Sequence, residues 1–305
     1  LSKKIDGIKA AEDAGAGALV IKSLFEEQVQ IEQGQFSNAN TQYDDMFAEA
    51  LSLFPKIEHG GPKEHLYWVE KTRKEVKMPL FASLNCTNNT TWVEYARLLE
   101  NTGVNGLELN FYSSPLDSTL TGAELERREL ETLAKVRAAV KVPIAVKLHP
   151  YYSSLLNHAP ALEKAGANGL VLFNRLFQPD INVEREEKHA AIVLSEAHDL
   201  LLPLRWTALL HERVACDVIA SGGITTGRDV VKMVLAGAAA VQTVSSLYRF
   251  GPRHVEQMNR EISEWMKSHH YKGLSDFRGK LGKRRMSDVW SFERGQYIRA
   301  ILGFD

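Results

Sequence analysis

Several short apolar runs in this 305-residue chain end in a polar residue that their bodies do not predict: Lys22-Ser23, Asn85, Asn110, Lys147 and Asn174. A lysine that closes Pro143-Ile144-Ala145-Val146 is costly to bury unless an anion meets it. As a cation, Lys147 would stabilise negative charge developing on a reduced ring or an enolate. As a neutral amine it would form a Schiff base. The asparagines favour the first chemistry, because each offers a donor and an acceptor, which suits a heterocycle edge of alternating N–H and C=O groups. A second signal lies in Val218-Ile219-Ala220 followed by Ser221-Gly222-Gly223-Ile224, and then in Ala239–Gln242 followed by Thr243-Val244-Ser245-Ser246. Glycines at 222 and 223 remove the Cβ atoms that would keep an anion from the main chain. Thr225 or Thr226 is placed to cap the next helix, whose positive end would face the same spot. Two consecutive strand-to-turn units that bring N–H groups to one end of a sheet predict a phosphate site.

The elements that must carry these residues alternate. A helix is expected over 2–14 and a strand over 18–22, then a polar irregular stretch over 28–59 with a short helical piece near 45–53. A loop of that length usually covers a site. Helices over 62–77, 91–101, 122–140 and 154–165 then alternate with strands over 79–85, 106–110, 143–147 and 169–174. An apolar segment over 200–210, the two phosphate-type units and a long helix over 252–269 complete the series. Short apolar strands alternating with amphipathic helices predict an α/β fold with a parallel sheet, specifically a (β/α)8 or TIM barrel, whose usual phosphate site lies after strands seven and eight. Seven strands can be counted, so the first strand of a closed barrel is expected upstream of Leu1. Residues 1–305 are read as one domain with a helical tail over 271–305. In that tail Phe292, Tyr297, Ile298 and Ile301 suggest a docked helix, and Lys280, Lys283, Arg284 and Arg285 a solvated face.

A formal net charge of −1 gives no field that would favour nucleic acid or an anionic membrane. Cys86 and Cys216 are the two cysteines, too few for a disulfide framework or a cysteine-rich metal site, which suits a reducing cytoplasm. No metal site and no membrane span are expected.

On Ile21-Lys22-Ser23, Leu107-Glu108-Leu109-Asn110, Ala145-Val146-Lys147-Leu148, Asn174, Ala220-Ser221-Gly222-Gly223-Ile224 and Val244-Ser245-Ser246-Leu247, the chain resembles the class 1 dihydroorotate dehydrogenases. It is most similar to the bacterial dihydroorotate dehydrogenase-like branch, related to the FMN domain of dihydropyrimidine dehydrogenase. The resemblance implies an FMN-dependent oxidoreductase of pyrimidine biosynthesis that removes two hydrogens from a dihydropyrimidine, as hydride to flavin and proton to a loop base. It implies that Lys22 and Ser23 lie along the flavin with Asn85, and that Lys147 meets its pyrimidine-like end and stabilises the anionic reduced form. Backbones of Gly222, Gly223, Val244 and Ser245 would hold the FMN phosphate. Asn110 and Asn174 would bind an orotate-like substrate, with Asn174 also near the cofactor. A homodimer and an electron-transfer partner are implied in the same way.

The chain departs from that pattern in places. The family's Asn-x-Ser-x-Pro turn is here Asn110-Phe111-Tyr112-Ser113-Ser114-Pro115, so the base is Ser113 counted forward from Asn110 and Ser114 counted back from Pro115. His59-Gly60-Gly61 stands where an asparagine is expected before Pro62, and Leu204-Arg205-Trp206 where a second glycine-rich flavin loop is expected. His149 could touch the ring or simply pack on the rim, and Arg175 could meet a substrate carboxylate or lie on a helix surface. Two rival readings stand beside the flavoenzyme: a phosphate-binding aldolase with Lys147 as its Schiff-base lysine, and a flavin-binding protein without pyrimidine turnover.

Overall fold

The computed structural model describes residues 2, 4–25, 62–85, 89–111, 117–175, 180–189, 193–282, 297–298 and 301–303. Helix α1 (Ile5–Asp13) leads to strand β1 (Leu19–Phe25), and helix α2 (Pro62–Glu75) leads to β2 (Leu80–Asn85). Helix α3 (Asn89–Asn101) precedes β3 (Gly106–Asn110), α4 (Gly122–Ala139) precedes β4 (Ile144–Leu148), and α5 (Leu155–Ala165) precedes β5 (Gly169–Leu172). A hairpin of β6 (Asp180–Asn182) and β7 (Glu187–His189) then intervenes, followed by α6 (Leu201–Leu210) and β8 (Asp217–Ser221). Helix α7 (Gly227–Ala236), β9 (Ala240–Gln242), α8 (Ser245–Phe250) and α9 (His254–Ser268) close the series. Among the described residues the expected helices and strands are present within a few residues; the hairpin and α8 were not expected.

Seven strands form one parallel sheet in the order β1-β2-β3-β4-β5-β8-β9. Its curvature is fixed by side chains that meet across it. Gln242, on the last strand in that order, hydrogen-bonds Glu108 on β3 and Lys147 on β4. Asn259 of α9 donates to the carbonyls of Ala14 and Gly15, just ahead of β1. A flat sheet would hold these groups far apart, so the sheet curls on itself as a TIM-type α/β barrel does.

Alternation along each strand separates two faces. Leu84, Leu107, Leu109, Val146 and Leu148 are fully buried in one apolar cluster with Leu99, Leu133, Val136 and Leu162 of the surrounding helices. Burying each such side chain contributes about 1.5–3 kcal/mol. The other face is layered and turns polar toward the strands' carboxyl ends, from Phe81 and Gly106 through Ser83 and Glu108 to Asn85, Asn110 and Lys147. Gly106 is required by this layering, because a Cβ there would lie 2.4 Å from the Phe81 ring.

The register of β1 on β2 slips between Ile21 and Leu24, which pair with Ala82 and Leu84. Lys22 and Ser23 therefore share one position opposite Ser83, a bulge that leaves Lys22 exposed and turns Ser23 toward Ser83. His65 of α2 supports the bulge from behind, with Nε2 3.1 Å from the carbonyl oxygen of Lys22. His65 is only 8% exposed, its Nδ1 has no partner among the described residues, and burial lowers its pKa to about 4.

Among the described residues of the tail, burial falls on a residue that the sequence reading did not name. Phe277 is fully buried against Trp265 and Tyr271. Tyr297, Ile298 and Ile301 are exposed in a helical segment and do not dock on the barrel. Phe292, the basic residues 283–285 and the expected helical piece near 45–53 lie outside the described residues.

Gly106→Ala should lower stability by about 1–3 kcal/mol, the usual cost of overpacking, with Phe81→Leu in the same chain recovering part of it; urea denaturation midpoints of the two variants check this. His65 gives a pH signature. With its folded pKa at about 4, below the ordinary histidine value, the unfolded chain binds a proton that the folded chain refuses. Stability should therefore be full above pH ~6.5 and fall by about 3 kcal/mol as pH drops toward 4. A His65→Gln variant should show a shallower loss over the same window.

Candidate active site

Five of the residues picked for their chemistry meet in or beside one hydrogen-bonded network at the carboxyl ends of the strands. Asn174, just past β5, donates through Nδ2 to Oδ1 of Asn110 at 2.7 Å. Asn110 in turn donates to Ser23 Oγ at 3.3 Å, and Ser23 Oγ lies 2.7 Å from Ser83 Oγ. Asn85 donates to the carbonyl oxygen of Asn110 at 2.6 Å. Asn85 and Asn110 are 4% and 7% exposed, so each amide is oriented by these partners and not by water.

The network continues inward through two residues that were not singled out, Glu108 and Gln242. Ser83 Oγ donates to Glu108 Oε1 at 3.1 Å, and Gln242 Nε2 donates to Glu108 Oε2 at 2.6 Å. Lys147 donates to Gln242 Oε1 at 3.2 Å and stands 3.8 Å from Glu108. The lysine is thus held from below by a neutral amide, with a buried carboxylate just beyond hydrogen-bonding distance. Period-2 alternation placed Glu108 on the same strand face as Asn110, and that was the signal available in the sequence.

The two glycine- and hydroxyl-bearing turns lie side by side. Ser221 pairs with Gln242 across β8 and β9, and Thr243 Oγ1 donates to the carbonyl of Ile224 at 2.9 Å. Gly222 and Gly223 have φ values of +108° and +67°, which side chains rarely adopt. A Cβ on Gly222 would meet nothing closer than 3.9 Å, whereas one on Gly223 would lie 2.2 Å from the backbone nitrogen of Leu200. Gly223 is therefore also required by the close passage of the segment that leads into α6. Among the described residues, no acceptor faces the N–H groups of Gly222 and Gly223. These open amides, beside a turn kept free of side chains, fit a phosphate group.

One expectation at this end fails. Thr226 does cap α7, but the positive end of that helix does not face the turn unpartnered. Asp229 Oδ2 accepts from the N–H groups of Thr225 and Thr226, and Glu261 of α9 accepts from Gly227 at 2.7 Å. The helix start is satisfied by the protein's own carboxylates. Ser245 is likewise engaged, its Oγ accepting from the N–H and hydroxyl of Ser195 at 3.0 and 2.8 Å. Val244 is exposed.

Two further candidates are used structurally. His149 stacks on Tyr152 with ring centroids 4.2 Å apart, and burial lowers its pKa. Tyr152 in turn shares Glu129 with His158, tying the rim to α4 and α5. Arg175 pairs with Asp199 at 3.3 Å and stays partly exposed. Lys22 is exposed beside Ser23 at the bulge. Leu204, Arg205 and Trp206 lie on α6. Ser113, Ser114, Cys86 and residues 59–61 lie outside the described residues. Among the described residues no His, Cys, Asp and Glu cluster could hold a metal ion, and no helix is long and apolar enough to cross a membrane.

A family profile described as dihydroorotate dehydrogenase matches residues 57–266. Dihydroorotate dehydrogenase B (NAD(+)), catalytic subunit, of Thermoplasma volcanium is 25% identical over 287 residues, covering 91% of this chain and 90% of that protein. Dihydroorotate dehydrogenase A (fumarate) of Limosilactobacillus reuteri is 30% identical over 185 residues, 59% of each chain. The protein of that name from Lactobacillus helveticus is 28% identical over 195 residues, 61% of this chain and 64% of the other. The profile covers more than half of the sequence and contains the network from Asn85 to Gln242 and both turns: the chain belongs to the dihydroorotate dehydrogenase family, FMN-dependent oxidoreductases acting on CH–CH bonds.

Proposed function

We propose that this protein oxidises dihydroorotate or a closely similar dihydropyrimidine. The observation that supports this substrate is the linked pair Asn110 and Asn174, set beside Lys147 on the same rim. Two amides offering both donors and acceptors match the edge of a cyclic imide, which presents N–H and C=O groups in alternation.

FMN, when bound, supplies the hydride acceptor. The main chain of Gly222, Gly223, Val244 and Ser245 would hold its phosphate, and Lys22, Ser23, Asn85 and Asn174 would line the remainder of the cofactor. Asn110 and Asn174 orient the substrate, so that the carbon giving up hydride is presented at a fixed angle; such alignment removes much of the entropic part of the barrier. The ammonium of Lys147 would stabilise electrostatically the negative charge that grows during the reaction. The proton leaving the adjacent carbon would pass to the side-chain oxygen of Ser113 or Ser114 as that hydroxyl releases its own proton toward solvent. The carboxylate beside Lys147 and the family assignment both disfavour a Schiff-base role for this lysine. A cytoplasmic homodimer that hands its electrons to a partner completes the reading; the relatives' names divide between NAD(+) and fumarate as acceptor.

The purified protein should carry a flavin absorption band that anaerobic dihydroorotate bleaches; a band that stays unchanged with this and other dihydropyrimidines would falsify the substrate assignment. Lys147→Ala should slow that bleaching by at least ~100-fold, as removal of a group that stabilises developing charge does. It should also lower stability by about 3 kcal/mol, because Glu108 is left buried without its cation. Adding Glu108→Gln to that variant should restore the melting temperature but not the reduction rate. Gly222→Val, which forces a side chain into φ +108° beside the open amides, should lower flavin content in the purified protein.

A further inference from the structure

We propose that Glu108 is the positioning residue for Lys147, and that through Gln242 it sets how much positive charge the flavin feels and hence the flavin's redox potential. The inference rests on the reading of Lys147 as the cation beside the reduced cofactor.

The geometry separates this role from that of an ordinary ion pair. Glu108 is 3% exposed, and a carboxylate at such a site is costly unless its oxygens are bonded. Both are bonded, yet by neutral groups: Ser83 Oγ on Oε1 and Gln242 Nε2 on Oε2. At 3.8 Å, Lys147 Nζ is too far for a hydrogen bond to the carboxylate. The charges therefore act on one another through space, while the ammonium's direct partner is the Gln242 carbonyl oxygen at 3.2 Å. Among the described residues, its other two donors meet no acceptor, which leaves them available to a ligand.

Gln242 is polarised by its neighbours. A carboxylate accepts only and an ammonium donates only, so Nε2 must face Glu108 and Oε1 must face Lys147. Remove the carboxylate and the ammonium alone still selects the amide oxygen, but nothing holds the Nε2 end, so the amide no longer has a fixed position from which to aim the lysine. Glu108 thus does two things at once: it holds the acceptor that aims the ammonium, and its negative charge subtracts from the field that the ammonium projects. Stabilisation of a reduced, anionic ring by Lys147 is accordingly graded by Glu108 and not set by the lysine alone.

The test is the midpoint potential of the bound flavin, measured on the purified holoprotein with a chemical reductant, so that no substrate is needed. Glu108→Gln keeps an acceptor for Gln242 and removes the charge. It should favour the reduced flavin about tenfold over wild type, a positive shift of ~30 mV for a two-electron couple. Gln242→Met removes the bridge and lets Lys147 close on Glu108 as a direct ion pair, so the potential should shift in the negative direction. Opposite shifts support the proposal. Unmoved potentials, or shifts of the same sign, overturn it and leave Glu108 as a structural pair only. If Glu108→Gln does not fold, the sign of the Gln242→Met shift decides alone. A wild type that binds flavin but is not reduced by dihydroorotate removes the substrate reading and leaves this test intact. A wild type that takes up no flavin overturns both.

Discussion

A carboxylate in the interior of a curled sheet is the constraint around which this rim is arranged. Glu108 sits one layer below the strand ends and is satisfied only because β2 supplies Ser83 and β9 supplies Gln242. The bond to Gln242 joins a middle strand to the last strand of the sheet, so one hydrogen bond both satisfies the charge and fixes the curl. Lys147 enters as a third party from β4. Burying an ion pair is poor evidence of stabilisation, because desolvation offsets most of the attraction. What the arrangement secures is direction: each amide and hydroxyl in the chain from Asn174 to Lys147 has one orientation that its partners allow.

That order begins with backbone register. Parallel pairing of β2, β3 and β4 puts Ser83 opposite Glu108 and Asn110 opposite Lys147. The bulge in β1 then adds a residue where strict alternation would have turned either Lys22 or Ser23 away from its present place. Ser23 thereby reaches both Ser83 and Asn110, while the Lys22 carbonyl is held by His65. A helix on the outside of the barrel thus controls a side chain on the inside through one carbonyl oxygen.

Much of this was legible in the sequence, and the omissions have physical reasons. Strand ends such as Asn85, Asn110 and Lys147 stood out because a polar residue closing an apolar run is locally anomalous. Glu108 sits within its strand, and although Gln242 closes β9, both gain meaning only when β3 and β9 meet in space. The cap on α7 divides in the same way. Thr226 lies next to the helix it caps, with Asp229 three residues on completing a capping box, whereas Glu261 lies 34 residues beyond the Gly227 N–H that it accepts. A local signal correctly predicted the cap, and a long-range contact removed the free helix end on which the phosphate expectation partly rested. The bulge at Lys22 was invisible for the same cause, being set against β2, whereas the hairpin at Asp180–His189 is local but its short polar strands carry no apolar alternation to mark them.

Loss of the α7 terminus changes how an anion would be held at the paired turns. Helix starts attract negative charge through several aligned N–H groups, and here Asp229 and Glu261 already occupy those groups. What is left is the main chain of Gly222 and Gly223, with the neighbouring turn clamped to it by Thr243 on the Ile224 carbonyl. Amides of this kind recognise phosphate by shape, and they give little net charge in return. The cation placed by the network is Lys147, held by Gln242 of β9. On the proposed reading, a flavin seated on this rim would be anchored by neutral main-chain donors at its phosphate and met at its ring by the charge of Lys147, so that binding and redox tuning would fall to different parts of the same barrel mouth.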